Sequence, residues 1–349
     1  MQPKNWPNFS GPLGELTTRL GPNAEIRRRR SAALQGNFGA FRLIAKKLEL
    51  CGQCVKAGAF TCVALNILSI QSSVAYGHVG NSAAVFPLQR LGVEVWSVNT
   101  VHFSNHTGYG SWRGPVFPAE AVSDVIRGIE ERGVLPLCDG VLSGYLGDAS
   151  LGQVIVEAFY RVKAANPRAT YCCDPVMGDV GRGFFVRPGI PQFMRQIAIP
   201  AATIVTPNQF ELEFLAEGSV SDLGSVLEAI AKVRALGPEI VLVTGLRRSD
   251  APADQIEVLA VDQSGAYAIA TPLLPLNVNG AGDTAAALFF AHWLLTGSTR
   301  EALQLSVNAV FAVLEATVAA GAREIQLIAA QDAIASPPQR FTARRVERV

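Results

Sequence analysis

In Asn279-Gly-Ala-Gly-Asp-Thr284 two glycines precede an acid, and a strongly apolar, helix-period run follows. Glycine lets a backbone come close to a ligand. The first N–H groups of a helix have no partners inside it and sit at the positive end of its dipole. Together these features make an anion cradle. Phosphoryl transfer needs such a cradle for the migrating charge, plus a carboxylate within reach of the attacking hydroxyl. Asp283 stands where both needs meet, just behind Gly280, Ala281 and Gly282. The same residues have a plainer use, with Asn-Gly as a turn and Asp283 as a helix cap.

Thr206-Pro-Asn-Gln-Phe-Glu211 follows a strand-like run and opens a helical one, which places Thr206, Asn208 and Glu211 at the carboxyl edge of a sheet, where open α/β folds bind ligands. Asn and Glu three residues apart share a helical face, so their oxygens can converge on a hydrated Mg²⁺. They also fit a capping box with Asn208 as the N-cap. Asp174-Pro-Val-Met-Gly-Asp179 brings another carboxylate to the same edge, although a strand-ending turn at Pro175 explains it equally well. Gln71-Ser-Ser-Val-Ala-Tyr-Gly-His-Val-Gly-Asn81 runs off a first strand through a glycine turn into a helix. Neither GxxxxGK[ST] nor GxGxxG occurs in the chain, so any ATP is held without a Walker loop. The segment Asn99–Gly114 mixes polar and aromatic residues, as a loop gripping a planar ring does. A surface hairpin is the alternative. His102 and His106 lie in it without a third ligand, which makes them poor metal candidates.

The elements that must position these groups alternate between period 2 and period 3.6. Strands are expected at 66–71, 93–99, 139–143, 171–174, 203–206 and 240–244, and an antiparallel pair at 255–262 and 266–271. Helices are expected at 81–91, 118–133, 151–165, 282–295 and 299–320. This order is that of βαβ units around a largely parallel sheet.

Composition narrows the function classes. Of 349 residues 49% are apolar and 17% charged, with a formal net charge of +1, which excludes a disordered chain. Thirty basic side chains against 29 acidic ones create no global field for nucleic acid, and a small-molecule partner fits better. The longest near-continuous apolar stretch, 285–295, is broken by His292 and is too short to span a bilayer. Six sparse cysteines (Cys51, Cys54, Cys62, Cys138, Cys172 and Cys173) suit a reducing, cytoplasmic setting, and no second ligand pair follows Cys51-Gly-Gln-Cys54. Residues 1–65 are rich in Gly, Pro and Arg, with Arg27–Arg30 in a row and three acids. They read as an extension outside the fold, either transit-like or a mis-assigned start with the product beginning near Val63 or Leu65. Residues 66–335 are expected to form one α/β domain, and 336–349 a frayed tail.

Taken in order, ILSIQSSVAYGHVGNSAAVFPLQRLG, NTVHFSNHTGYGSWRG, LSGYLG at 142–147, CDPVMGD at 173–179, TPNQFELE at 206–213 and NGAGDT at 279–284 resemble the pyridoxal kinases of the ribokinase-like superfamily. The resemblance covers roughly 66–335 and implies a three-layer α/β/α fold. It also implies ATP-dependent phosphorylation of the 5′-hydroxymethyl group of pyridoxal, with pyridoxine and pyridoxamine as further substrates, in vitamin B6 salvage. On the same basis Ser72 and Thr107 hold the ring with Gly108 and Tyr145 nearby, Asp283 is the base, and Gly280 to Gly282 form the anion hole. Asp174, Thr206 and Glu211 arrange the phosphates and their cations, so with Asn208 the metal candidates are Asp174, Asn208 and Glu211, for Mg²⁺ with ATP and for a monovalent ion such as K⁺. Thr244 and the segment Thr271, Pro272, Leu273, Leu274 form the nucleotide edge, and Asp179-Val-Gly-Arg-Gly183 a mobile flap. Family members are commonly homodimers. His102 stands where many members carry Gln. Two other functions stay open: hydroxymethylpyrimidine phosphorylation within the same superfamily, and non-catalytic binding of a B6 vitamer.

Overall fold

Strand β1 (Asn66–Val74) carries Ile67, Leu68 and Ile70 with no exposed surface, which requires neighbours on both edges and cover on both faces. Its neighbours are β2 (Glu94–Phe103) and β3 (Gly140–Ser143), both parallel to it. In the computed structural model, which describes residues 65–347, nine strands form one sheet in the order β11-β10-β9-β8-β7-β4-β3-β1-β2. Six are mutually parallel, with β4 (Thr170–Cys173), β7 (Ile204–Val205) and β8 (Ile240–Leu246) extending the sheet beyond β3. The remaining three, β9 (Gln255–Asp262), β10 (Gly265–Pro272) and β11 (Arg344–Val346), are added antiparallel in turn. Chain order reverses between β2 and β3 on either side of β1, which is the switch point at whose carboxyl end such sheets bind ligands.

Helices cover both faces. On one side α2 (Ala119–Glu130), α3 (Ser150–Ala165), α4 (Gln209–Ala216) and α5 (Leu223–Ala235) bury Val122, Ile155, Leu212 and Val226 against the sheet. On the other, α1 (Asn81–Arg90), α6 (Ala281–Thr296) and α7 (Thr299–Ala319) form a second core around Ala84, Leu88, Phe289 and Leu303. A short α8 (Gln331–Ala335) closes a third cluster through Ile334. The middle of α6, Ala286–Ala291, has an apolar residue at every position and is accordingly buried all round. Helix α7 is long and apolar enough to cross a membrane, with a mean hydropathy of 1.6 over its most apolar window, yet half of that window is buried inside the protein.

The expected order of strands and helices is the observed one. Helix α5 and the short α8 go beyond it, as do three further segments. Residues 178–184 form a small antiparallel hairpin, β5 (Gly178–Asp179) with β6 (Gly183–Phe184), whose Phe184 packs edge-on against Phe210 and Phe214. Residues 190–201 are helical through an internal π turn. The segment after Ser336, expected to fray, is docked. Asn308 accepts the N–H groups of Arg340 and Phe341, Phe341 packs on Phe311, and β11 pairs with β10. An Arg-rich stretch reads as solvated in sequence, whereas here Ala343 and Phe341 anchor it. The extension and its cysteine pair lie outside the described residues, apart from Leu65.

Candidate active site

A cavity of about 400 Å³, within the range of small-molecule sites, runs along the carboxyl edge of the sheet. Its lining follows strand order. Ser72 and Val74 come from the end of β1, Phe103 from β2 and Tyr145 from just beyond β3. Asp174 follows β4 and Thr206 follows β7. Thr244, Ile256 and Thr271 come from β8, β9 and β10. From β1 to β8 is four strand spacings, about 19 Å. That span accommodates two substrates end to end, with Asp174 and Thr206 between them.

The β1–α1 turn is fixed from beneath. Asn81 opens α1 and is buried. Its side-chain oxygen accepts from Ser69 Oγ at 2.7 Å, and its amide donates to Val98 O at 3.1 Å and Asn99 Oδ1 at 2.8 Å. Ser82 Oγ donates to Val74 O and accepts from Val74 N, closing the loop. Gly80, at φ +53°, lies so close to Ser72 that a Cβ would stand 2.3 Å from its carbonyl and hydroxyl oxygens. Ser72 thus packs against the backbone of Gly80, whose N–H faces the Asp283 carboxylate.

Gly280 is the N-cap of α6 at φ +88°, and a Cβ there would lie 1.8 Å from His78 O. Only glycine allows that approach. No side chain caps the helix, so Asp283 is not spent as a cap, and the cavity wall at its start is Gly280, Ala281, Gly282 and Asp283. Burial raises the Asp283 pKa, while the N–H groups of Gly80 and of Asp283 itself pull it back. Burial and the neighbouring Asp283 charge push Asp174 up to about 8 against the pull of the Thr206 hydroxyl, which donates to Asp174 Oδ1 at 2.8 Å. Glu211 is driven well above its ordinary value by burial and by Asp174. Its carboxylate accepts from Met177 N and Asn208 N at 2.8 and 2.9 Å, and Asn208 reciprocates by accepting from Glu211 N at 2.9 Å. The capping box is therefore present, and Asn208 Nδ2 is also engaged, donating to Gly178 O. Among the described residues no three His, Cys, Asp or Glu side chains converge as a metal cage.

Of the residues singled out in the sequence, Ser72, Thr107, Tyr145, Asp174, Asp179, Thr206, Asn208, Glu211, Thr244, Thr271 and Gly280–Asp283 line this one cavity. Gly108, Pro272, Leu273 and Leu274 do not. The Gly108 N–H donates to His106 Nδ1 at 2.9 Å, capping the turn that presents Thr107, and Leu273 is 40% exposed. His106 itself lines the cavity, with its pKa lowered first by burial and then by Arg182, whereas His102 is exposed. Sequence reasoning missed the wall supplied by α7, where Val307, Val310, Phe311 and Leu314 line the cavity. Their helical spacing was visible, but it marks core and ligand wall alike. It also missed Glu324, which ties the cavity loops together.

Relatives decide the family. A family model described as phosphomethylpyrimidine kinase matches residues 125–327. The pyridoxal kinase of Rubrobacter xylanophilus is 67% identical over 283 residues, covering 81% of this chain and 98% of its own. That of Deinococcus radiodurans is 57% identical over 288 residues, covering 81% and 97%. The chain belongs to the pyridoxal kinases. Among solved structures, pyridoxal kinase from Leishmania donovani in complex with ADP and pyridoxamine is similar with a TM-score of 0.75 and 27% identity, over 81% of this chain and 99% of that one. The ribokinase-like α/β fold expected from the sequence is the fold observed.

Proposed function

We propose that this pyridoxal kinase transfers the γ-phosphate of ATP to the 5′-hydroxymethyl group of pyridoxal and of related B6 vitamers, with Asp283 as the base. One observation carries the reading. A carboxylate with a raised pKa sits at the uncapped, glycine-lined start of a buried helix, in one cavity lined both by the aromatic residues Phe103 and Tyr145 and by the β8–β10 residues Thr244, Ile256 and Thr271. The relatives' names and the ADP and pyridoxamine bound in the Leishmania protein support both halves.

In this reading Ser72, Thr107 and Tyr145 hold the ring, and Thr244, Thr271 and the apolar face of α7 hold the nucleotide. Asp283 accepts the hydroxyl proton as the oxygen–phosphorus bond forms and the bond to the β,γ-bridging oxygen breaks. A carboxylate of raised pKa is a better base near neutral pH than an ordinary one. The first-turn N–H groups of α6 meet the charge on the migrating group. The hairpin carrying Asp179 and Arg182 covers it, with glycines as hinges. Asp174, raised by burial and by Asp283, and Glu211, raised by burial and by Asp174, are buried acids that suit a cation brought in with ATP. Mg²⁺, with K⁺ as a second ion, would neutralise phosphate charge there, held through water by Asp174 and Glu211 and, more weakly, by the already engaged Asn208. The catalytic unit is residues 66–347, and residues 1–65 are dispensable for turnover. A soluble cytoplasmic homodimer completes the reading.

The test is ATP consumption against pyridoxal, pyridoxine, pyridoxamine, hydroxymethylpyrimidine and ribose, with mass detection of the products. Phosphorylated B6 vitamers are expected. Turnover of hydroxymethylpyrimidine or ribose alone would overturn the assignment.

A further inference from the structure

We infer that Glu324 is a positioning residue for the vitamer half of the site, locking together the two loops that meet the ring. This builds on the proposed function, because it concerns how those loops are held. Glu324 lies in the connection after α7 and does not line the cavity. Its carboxylate is divided between the loops. Oε1 accepts the Tyr109 hydroxyl at 2.5 Å, and Oε2 accepts the His78 N–H at 3.1 Å. That strong hydrogen bond raises the Tyr109 hydroxyl pKa to about 12.

The neighbouring residues reinforce both arms. Arg323 Nη2 donates to Gly108 O at 3.1 Å, and its guanidinium lies 3.7 Å from the centre of the Tyr109 ring, a favourable cation–π distance. The turn containing Thr107 is therefore gripped at the two residues that follow Thr107. On the other arm, Gly77, at φ +92°, lets the carboxylate pack on the backbone, where a Cβ would meet Oε2 at 2.3 Å. His78 is then fixed so that its carbonyl abuts Gly280, against which Ile325 also packs. Three consecutive residues, 323–325, thus touch the Thr107 turn, the β1–α1 turn and the start of α6. A carboxylate suits this role because it accepts from a hydroxyl and an amide at once. Ala loses both arms, and Gln keeps the His78 arm but exchanges the charged acceptor at Tyr109 for a neutral amide that can only donate weakly to the phenol oxygen.

The experiment compares wild type, Glu324→Gln, Tyr109→Phe and the double variant. An amide keeps one acceptor but turns a donor toward the other partner, while Tyr109→Phe removes a single hydroxyl and threatens folding least. Each single variant is expected to raise the KM for pyridoxal about 3- to 10-fold, the cost of one strong hydrogen bond. The KM for ATP should stay within about twofold and kcat within about threefold of wild type, with the double variant little worse than either single one because one carboxylate serves both arms. A second readout needs no substrate. Amide hydrogen exchange on the free protein should quicken at 76–80 and 106–110 together, and Tyr109→Phe should loosen 76–80 although it touches only the other loop. An unchanged pyridoxal KM, a parallel rise in the ATP KM, or exchange that changes in only one loop overturns the inference. Wild-type turnover of pyridoxal is scored separately, so failure of the substrate assignment is distinguishable from failure of the lock.

Discussion

Two alanine substitutions in the glycine cradle separate what the fold needs from what the chemistry needs. Gly282 is helical, and a Cβ added there meets nothing within 4 Å because it enters the cavity itself. Gly282→Ala should leave the fold intact or gain up to about 1 kcal/mol from helix propensity. The same methyl occupies the space where the migrating phosphate would lie. A displacement of about 1 Å there is expected to cost about 10²-fold in kcat. Gly280→Ala behaves differently. At φ +88° an L-residue costs about 1–2 kcal/mol, and the new Cβ would stand 1.8 Å from a backbone carbonyl, so the turn or the helix must retreat by more than an ångström. That variant should lose about 3 kcal/mol in total and, at about 2–4 °C per kcal/mol, melt roughly 6–12 °C lower as well as losing turnover. Scanning fluorimetry and initial rates on the same preparations decide the matter. Wild-type kcat in Gly282→Ala, or a wild-type midpoint in Gly280→Ala, would refute the cradle as described.

Two further predictions concern pH. Asp174 has its pKa raised from 3.8 to about 8, so the folded state holds a proton that the unfolded state has lost, and stability falls as pH rises between those values, by about 6 kcal/mol at most. Asp174→Asn removes that penalty and should melt several degrees higher than wild type at pH 8 but not at pH 4, while losing kcat with ATP; equal shifts at both pH values would contradict the burial argument. His292 is opposite in sign. Buried with Nε2 unpartnered, its pKa is lowered from 6.5 to about 4, so stability is lost as pH falls through that window, by up to about 3 kcal/mol. His292→Leu should therefore gain on wild type in thermal midpoint as pH drops from 7.5 to 5, and a pH-independent difference would count against it.

Much of the fold was legible in the sequence because the dominant signals were local. The runs that became β1, β4 and β8 are short and apolar, as strands covered on both faces must be, and α6 and α7 carry long apolar periods. The cavity groups were legible because most of them sit at strand ends or helix starts, which punctuation by Gly, Pro and Asn marks. Glu324 was not. Its two partners are 215 and 246 residues away in sequence, and no local pattern encodes such pairing. The docked end of the chain was hidden for a related reason: β11 is three residues long and exists only because β10 offers it an edge. Asn208 and Glu211 show the opposite limit. Their spacing fits a cap and a cation site equally, and the structure displays the cap while leaving both side chains at the cavity wall.

The central claim is that the Asp283 carboxylate takes the hydroxyl proton, and Asp283→Asn tests it most directly. Asparagine keeps the shape of the side chain and removes its basicity, and α6 does not depend on residue 283 for its cap. Thermal midpoint, affinity for ATP and pyridoxal, and kcat should be measured on one purified preparation. The account predicts a near wild-type midpoint and near wild-type binding of both substrates, with kcat lower by about 10²–10⁴-fold. A near wild-type kcat, or a lost midpoint with unchanged kcat per folded molecule, would contradict it.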